Sequence, residues 1–289
     1  MHTWLMWRFP YLLVVGLYLY SCSGWSLAAE EVTAKNPPIS KVLKMDNEQD
    51  AAEIRKVIET DLPKGYILEV DYVFWIDGSQ IPRGYAPTRA TPKDAEGNVD
   101  GTVRLGIPGG PTRTIQYVKG RKQGVEKAFR TFGRLHMECT WEDDNLHGLK
   151  KTYHDNGNVM SETKYEHGQP VGESHTYDPA GKLLEVTPYK DGLMDGDRIQ
   201  YWPGNEKALK RIAPYRNGMV HGLVREFRED GSNRKSIQFA HGDPHGIEIE
   251  YDEKGVETRR RYWLKGDVVP RGKFEAEYKE DESETQEKQ

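Results

Sequence analysis

Evenly spaced glycines leave this chain few folds to choose from. Gly124, Gly148, Gly172, Gly196, Gly222 and Gly246 follow one another at steps of 24, 24, 24, 26 and 24 residues. Five residues after each stands an aromatic ring: Phe129, Tyr153, Tyr177, Tyr201, Phe227 and Tyr251. Nine residues after the anchor comes a second glycine, at Gly133, Gly157, Gly181, Gly231 and Gly255, with Gly204 one place early in the longer unit. A second ring closes each unit: Trp141, Tyr165, Tyr189, Tyr215, Phe239 and Trp263. Three residues later sits Gly168, Gly192, Gly218, Gly242 or Gly266, with Asp144 as the exception. Self-similarity at a fixed period is the mark of a repeat architecture. A degenerate copy precedes these units, with Asp100, Leu105, Gly109, Tyr117 and Gly120 at matching offsets.

Each unit translates into a β-hairpin. In the second, Gly148 to Tyr153 is one strand, His154 to Gly157 the turn, and Asn158 to Tyr165 the return strand. Asn-Gly and Asp-Gly pairs favour tight turns because glycine reaches positive φ without a steric cost. Alternate strand residues share a face, so Leu135, Met137, Cys139 and Trp141 line one side, as do Val159, Ser161, Thr163 and Tyr165. Stacked hairpins are expected to bring each ring near its equivalent one unit away. Pro188 and Pro214 precede their rings where a paired strand wants an N–H donor, which predicts a bulge or local edge there. The extra residues near Trp202-Pro-Gly-Asn205 predict a longer hairpin tip. The expected fold is mainly β: an elongated single-sheet solenoid of stacked antiparallel hairpins with a short N-terminal helix/hairpin cap.

The pattern aromatic-x-x-Gly-x-x-x-Gly, then an aromatic five residues on, as in Tyr117-Val-Lys-Gly120-Arg-Lys-Gln-Gly124 and Phe129, resembles the MORN repeat. The period and the Tyr-x-x-x-Gly hairpins look most like its bacterial variant, the YwqK-type antitoxin-like repeat proteins. The resemblance covers residues 100–267, rests on six full units and implies the fold. One departure stands out. The eukaryotic pattern has a second glycine two residues past the anchor, where this chain has Glu126, Lys150, Ser174, Arg198, Val224 and Glu248. The lipid binding associated with some MORN proteins finds no support in that column.

Residues 1–28 read as a signal peptide: Arg8 supplies the charge, Tyr11 to Tyr20 the apolar stretch, and Ser26-Leu-Ala28 a cleavage site. The apolar run of ten residues is half of the ~20 that a membrane span needs. Leu19-Tyr-Ser-Cys22 resembles a bacterial lipobox, which would lipidate Cys22 and supply the one membrane attachment. An exported protein is therefore expected: periplasmic, secreted or lipid-anchored in the envelope. Residues 29–48, with Pro37-Pro38, read as a linker, and 49–99 as a small α+β cap with a loop. Within the cap, Gln49 to Thr60 carries Ala51, Ile54, Val57 and Ile58 at helical spacing; Tyr66 to Ile76 alternates like a strand; and Ile81 to Val99, with three prolines, predicts a loop. Residues 268–289 are expected to give a last strand at Lys273 to Tyr278, then an acidic disordered tail.

Charge narrows the partners. The net charge is −5, and −6 without the first 28 residues, which contribute only Arg8. Nucleic-acid binding needs concentrated basic surface, which this balance does not provide. A search for chemistry returns no nucleophile elbow, phosphate loop or Cys–His arrangement, and no catalytic residue or cofactor is assigned. His147, His221 and His245 each precede an anchor glycine, but neighbouring columns ~10 Å apart are too far for one zinc ion, so no metal is assigned. Glu142-Asp-Asp-Asn145 reads as a hairpin connection, Arg259-Arg-Arg261 as cross-strand ion-pair partners, and Cys139 as a packing residue. The residues thus predict a non-enzymatic binder of another protein. A cell-wall glycan, stacked on by exposed rings, and an antitoxin-like neutralised protein are the alternatives.

Overall fold

A computed structural model of the chain describes residues 39–44, 48–58, 62–63, 65–76, 82–107, 110–130 and 133–286. The stretch expected to be a signal peptide, Cys22, most of the expected linker and Gly109 lie outside the described residues. The protein is mainly β, an open antiparallel sheet of stacked hairpins. Two compact units divide it, Met1–Pro111 and Thr112–Gln289.

In the first unit, β1 (Ile39–Lys44) pairs with β2 (Ile67–Ile76), β2 with β3 (Pro82–Lys93), and β3 with β4 (Gly101–Ile107). Leu43, Leu68, Val70, Tyr72 and Ala90 form its core, with Val57 of helix α1 (Glu48–Ile58) packed against them. Two expectations are corrected here. The linker contains β1, whose Leu43 is 3% exposed: Ile39 to Lys44 is too short for its alternation to stand out beside Pro37-Pro38. Most of the loop expected over Ile81 to Val99 is strand β3, despite its prolines, and Asp94 to Asn98 form the turn that follows it. Pro82 and Pro87 sit where the pairing with β2 shifts register, so their missing N–H groups interrupt the ladder only at its irregular points. Where β1 meets the helix, Glu53 accepts from Tyr72 Oη and from Lys41 Nζ, at 3.1 Å for the lysine. Tyr72→Phe is expected to cost about 1–2 kcal/mol in urea unfolding, since the half-buried carboxylate loses a charge-assisted donor.

The second unit is a meander in sequence order. Its strands are β5 (Gly110–Val118), β6 (Arg121–Phe129), β7 (Leu135–Glu142), β8 (Asn145–Leu146), β9 (Gly148–Tyr153), β10 (Val159–Glu166), β11 (Gln169–Tyr177) and β12 (Leu183–Lys190). β13 (Leu193–Met194), β14 (Gly196–Trp202), β15 (Asn205–Arg216), β16 (Met219–Val220), β17 (Gly222–Phe227), β18 (Asn233–Ala240), β19 (Asp243–Tyr251), β20 (Glu257–Leu264) and β21 (Asp267–Val269) follow. The short pieces β8, β13 and β16 are the starts of β9, β14 and β17, separated from them by a bulge.

Two turn types alternate. The connection between units is a two-residue turn with both residues at positive φ, as in His167-Gly168 (50° and 82°) and Asn217-Gly218 (49° and 82°). That is the type I′ geometry, whose twist matches the strands it joins. Asp143-Asp144 adopts it without glycine (46° and 66°), which short polar side chains tolerate. The tip within a unit spans four residues: His154 N–H donates to Asn158 C=O at 2.9 Å, and Gly157 N–H to His154 C=O at 3.0 Å. In the longer unit Pro203-Gly204 makes the turn with Trp202 opposite Asn205, and the pairing then jumps to Tyr201 opposite Leu209, so the added residues form a bulge behind the tip.

The C-terminal expectation is overturned. Helix α2 (Arg271–Gln286) replaces the strand and the disordered tail. Phe-Glu-Ala-Glu-Tyr alternates like a strand, yet Phe274 and Tyr278 are also one helical turn apart. Their rings stack at 4.6 Å; Phe274 also meets Tyr262 at 5.1 Å and Tyr278 meets His245 at 5.2 Å. Ion pairs one turn apart, Arg271–Glu275 and Lys273–Glu277, support the same geometry.

Candidate functional site

The anchor glycines other than Gly172 have a neighbour where a side chain would be. Each of the six stands opposite the closing ring of its own hairpin: Gly124 opposite Trp141, Gly148 opposite Tyr165, Gly172 opposite Tyr189, Gly196 opposite Tyr215, Gly222 opposite Phe239, Gly246 opposite Trp263. Across the other edge a side chain of the preceding unit closes in. A Cβ at Gly222 would lie 2.9 Å from Pro214 Cγ, and one at Gly246 2.5 Å from Gln238 Cβ. The prolines that strained the sequence reading fit here. Pro188 lies between the pairs Val186–Ile199 and Tyr189–Met194, where the register shifts, and its carbonyl accepts from Asp195 N–H at 3.1 Å. The degenerate copy is re-registered: Gly101, with φ 110° and Pro92 Cγ 3.1 Å from its Cβ position, has the anchor geometry, not Asp100.

Register divides the rings between two faces. Glu126, Cys139 and Trp141 share the front face, which carries the closing rings; Phe129, Tyr153 and Tyr177 fall on the back. The expected ring-on-ring stacking between units does not occur: among the described residues, no two column aromatics form a ring pair. Two strands per unit separate equivalents by ~10 Å, beyond the ~7 Å limit of such pairs. Rings find other partners instead. Tyr177 Oη donates to Glu162 on the neighbouring strand at 2.9 Å, and Tyr153 likewise to Glu138. Burial and then the Glu138 contact push the Tyr153 hydroxyl up to about 12.

On the front face the column two past the anchor matches the closing ring chemically. Glu126 and Glu248, each 1% exposed, accept the indole N–H of Trp141 and Trp263 at 2.9 and 2.7 Å. Arg113 completes the first pair at 2.7 Å; Lys235 and Arg261 approach Glu248 at 2.9 and 3.6 Å. In the fifth unit the ring is Phe239 and the partner is Val224, 1% exposed. Burial alone would raise the Glu248 carboxyl, but Lys235, Trp263 and Arg261 outweigh it and hold it below the ordinary carboxylate range. Its contribution to stability is therefore full above that range and is lost as pH falls through the depressed value. Cys139, 3% exposed, lies opposite Glu126; burial first, then that carboxylate, raises its thiol pKa and keeps it from reacting as a thiolate.

Other singled-out residues are structural. Arg261 reaches Glu248 and Glu250, as cross-strand pairing predicts, while Arg260 pairs with Glu257 of its own strand at 2.8 Å. Asp143 and Asp144 of the acidic cluster form a turn, Asp144 accepting Lys122 N–H at 2.8 Å. No group of three or more metal-ligating side chains occurs among the described residues. Shallow hollows lie between adjacent tips, one over Tyr177 beside Val159 and Ala180, another over Phe227 beside Ala208 and Asp230.

Five of the nine exposed large apolar side chains among the described residues form a pattern that the sequence reading missed; Val42, Val118, Val256 and Val268 lie outside it. Val125, Leu149 and Leu223 each follow an anchor glycine and are 39%, 49% and 44% exposed. Leu193 and Met219 each follow a type I′ glycine and are 50% and 47% exposed. Leu193 pairs with Lys190 and Met219 with Arg216, which places all five on the back face, along the margin of type I′ turns. The signal was available as an aliphatic residue after an anchor glycine or a type I′ turn glycine.

An open sheet of bulge-punctuated hairpins, whose hollows between adjacent tips lie open to solvent, defines a hairpin-repeat architecture. Residues 146–167 and 170–191 match the MORN repeat variant family model. These are the second and third full units, starting just before their anchors. No curated protein matches the chain.

Proposed function

We propose that the array is a non-enzymatic binding surface for a protein partner, engaged through the back-face margin that carries Val125, Leu149, Leu193, Met219 and Leu223. The observation behind this reading is the periodic exposure of large aliphatic side chains on one face along one margin. Scattered apolar surface is ordinary, whereas an aligned set marks an interaction site. A repeat sheet also offers a long surface built from similar units. Sugar stacking has less support, because Tyr153 and Tyr177 are half-buried with engaged hydroxyls. The apolar stretch at Tyr11 to Tyr20 supports an exported, envelope-facing setting for this surface.

A photo-crosslinking residue placed singly at 149, 193, 219 or 223 of the full chain tests the reading. Saturable capture of one protein species is expected from these positions and not from Asp230 or Lys254 on the tips. Leu223→Asp should reduce capture at 219 at least tenfold while leaving the thermal unfolding midpoint near the parent's. Equal capture from tips and margin, or capture indifferent to the charge, would refute it.

A further inference from the structure

In four of the six units the residue before the anchor glycine has a second role; the exceptions are Val171, which carries no acceptor, and His147, whose Nδ1 lies 3.3 Å from Glu142. Gln123 Oε1 accepts the backbone N–H of Asp143 at 3.1 Å, and Asp195 Oδ2 that of Asn217 at 3.2 Å. His221 Nδ1 accepts from His241 N–H at 3.4 Å, and His245 Nδ1 from Lys265 N–H at 3.2 Å. In every case the donor is the first residue of the type I′ turn belonging to the next unit. Since that residue sits at positive φ, its N–H points away from its own hairpin and needs a partner elsewhere. The turn glycine beside it is tied to the preceding unit too, as Gly242 N–H donates to Val220 C=O at 2.9 Å. One column therefore laces successive hairpins along the margin. Glutamine and aspartate serve it as permanent acceptors, whereas histidine serves it only when Nδ1 carries no proton.

We infer that His221 makes the junction between the fifth and sixth hairpins acid-sensitive: protonation at Nδ1 turns the acceptor of His241 N–H into a donor facing a donor. The groups facing His221 sharpen the effect. His241 lies across the turn with ring centroids 5.1 Å apart, and Arg216 closes β15 on the other side. Burial first, then His241 and Arg216, lower the pKa of the His221 ring below the ordinary histidine value. With the folded value depressed, the unfolded state binds more protons, so the junction weakens as pH falls below about 6.5. The opening would fall between Met219 and Leu223, within the proposed partner margin; the inference itself stands on the hydrogen-bond column and does not need that margin to bind anything.

Amide hydrogen exchange on the full chain, corrected for intrinsic rates, tests it at pH 7.5 and 5.5. Protection of His241 N–H is expected to fall about tenfold at the lower pH, as for loss of one net hydrogen bond. Asn217 and Asp143, whose acceptors are a carboxylate and an amide oxygen in place of an imidazole, should hold theirs. His221→Gln reproduces the arrangement of Gln123 and should keep His241 protected at both pH values. His221→Val, which resembles Val171 of the same column, should leave it poorly protected at both. Unchanged His241 protection in the parent, or the same acid loss in His221→Gln, would overturn the inference.

Discussion

Gly246→Ala is expected to destabilise the array by about 3–5 kcal/mol, the largest effect of any single methyl added to this protein. Two costs combine. The φ of 128° is one that side chains with a Cβ rarely adopt, costing roughly 1–3 kcal/mol. The added Cβ would also lie 2.5 Å from Gln238 Cβ, an atom held by its own backbone, so relief requires strand movement at roughly 1–3 kcal/mol more. Gly255→Ala is the control. Its φ of 79° also favours glycine, but nothing lies within 4 Å of the Cβ position, so roughly 1–2 kcal/mol is expected. Urea unfolding of both variants should give midpoints that separate clearly. Because each hairpin touches only its neighbours, hydrogen exchange should locate the damage at β18 to β20. Equal losses at the two positions would mean that the bulge geometry at the anchor is not what the glycine column protects.

Replacing Glu248 should rank second. Glu248→Ala strips the carboxylate from Trp263 Nε1, Lys235 and Arg261 in a site 1% exposed, and breaking a buried pair from one side costs about 3–5 kcal/mol. The lysine and arginine, each 29% exposed at the side chain, can turn to solvent; the indole N–H cannot do so as readily. Glu248→Val combined with Trp263→Phe transplants the Val224–Phe239 arrangement of the fifth unit and removes the orphaned donor. The double variant is therefore expected to be more stable than Glu248→Val alone, with a coupling of about 1–3 kcal/mol by thermal unfolding. Additive losses would show that the glutamate and the tryptophan contribute independently. Acid should mimic the single substitution, since the depressed Glu248 pKa means stability is lost only as pH falls below the ordinary carboxylate range.

Much of the architecture was legible because the columns report backbone geometry. Glycine at 124, 148 and 222 is needed for positive φ, and the bulge follows from it. Less legible was anything set by how hairpins meet. The glutamates at 126 and 248 looked like a lost glycine, and only the register with Cys139 and Arg261 shows them buried under tryptophans. The histidines looked like turn residues, and their acceptor role needed the next unit's turn in place. At the termini, short segments such as Ile39 to Lys44 and Phe274 to Tyr278 fit two periods equally well, and packing chose between them.

The amino-acid sequence by itself determined that this protein is a hairpin array and where its units begin, because positive-φ turns and two-residue alternation are local requirements written into each repeat. Tertiary structure alone decided which rings share a face, which charges are buried, and which side chains tie one unit to the next. Those outcomes depend on strand register across a bulge, and a shift of one residue there moves every later side chain to the opposite face.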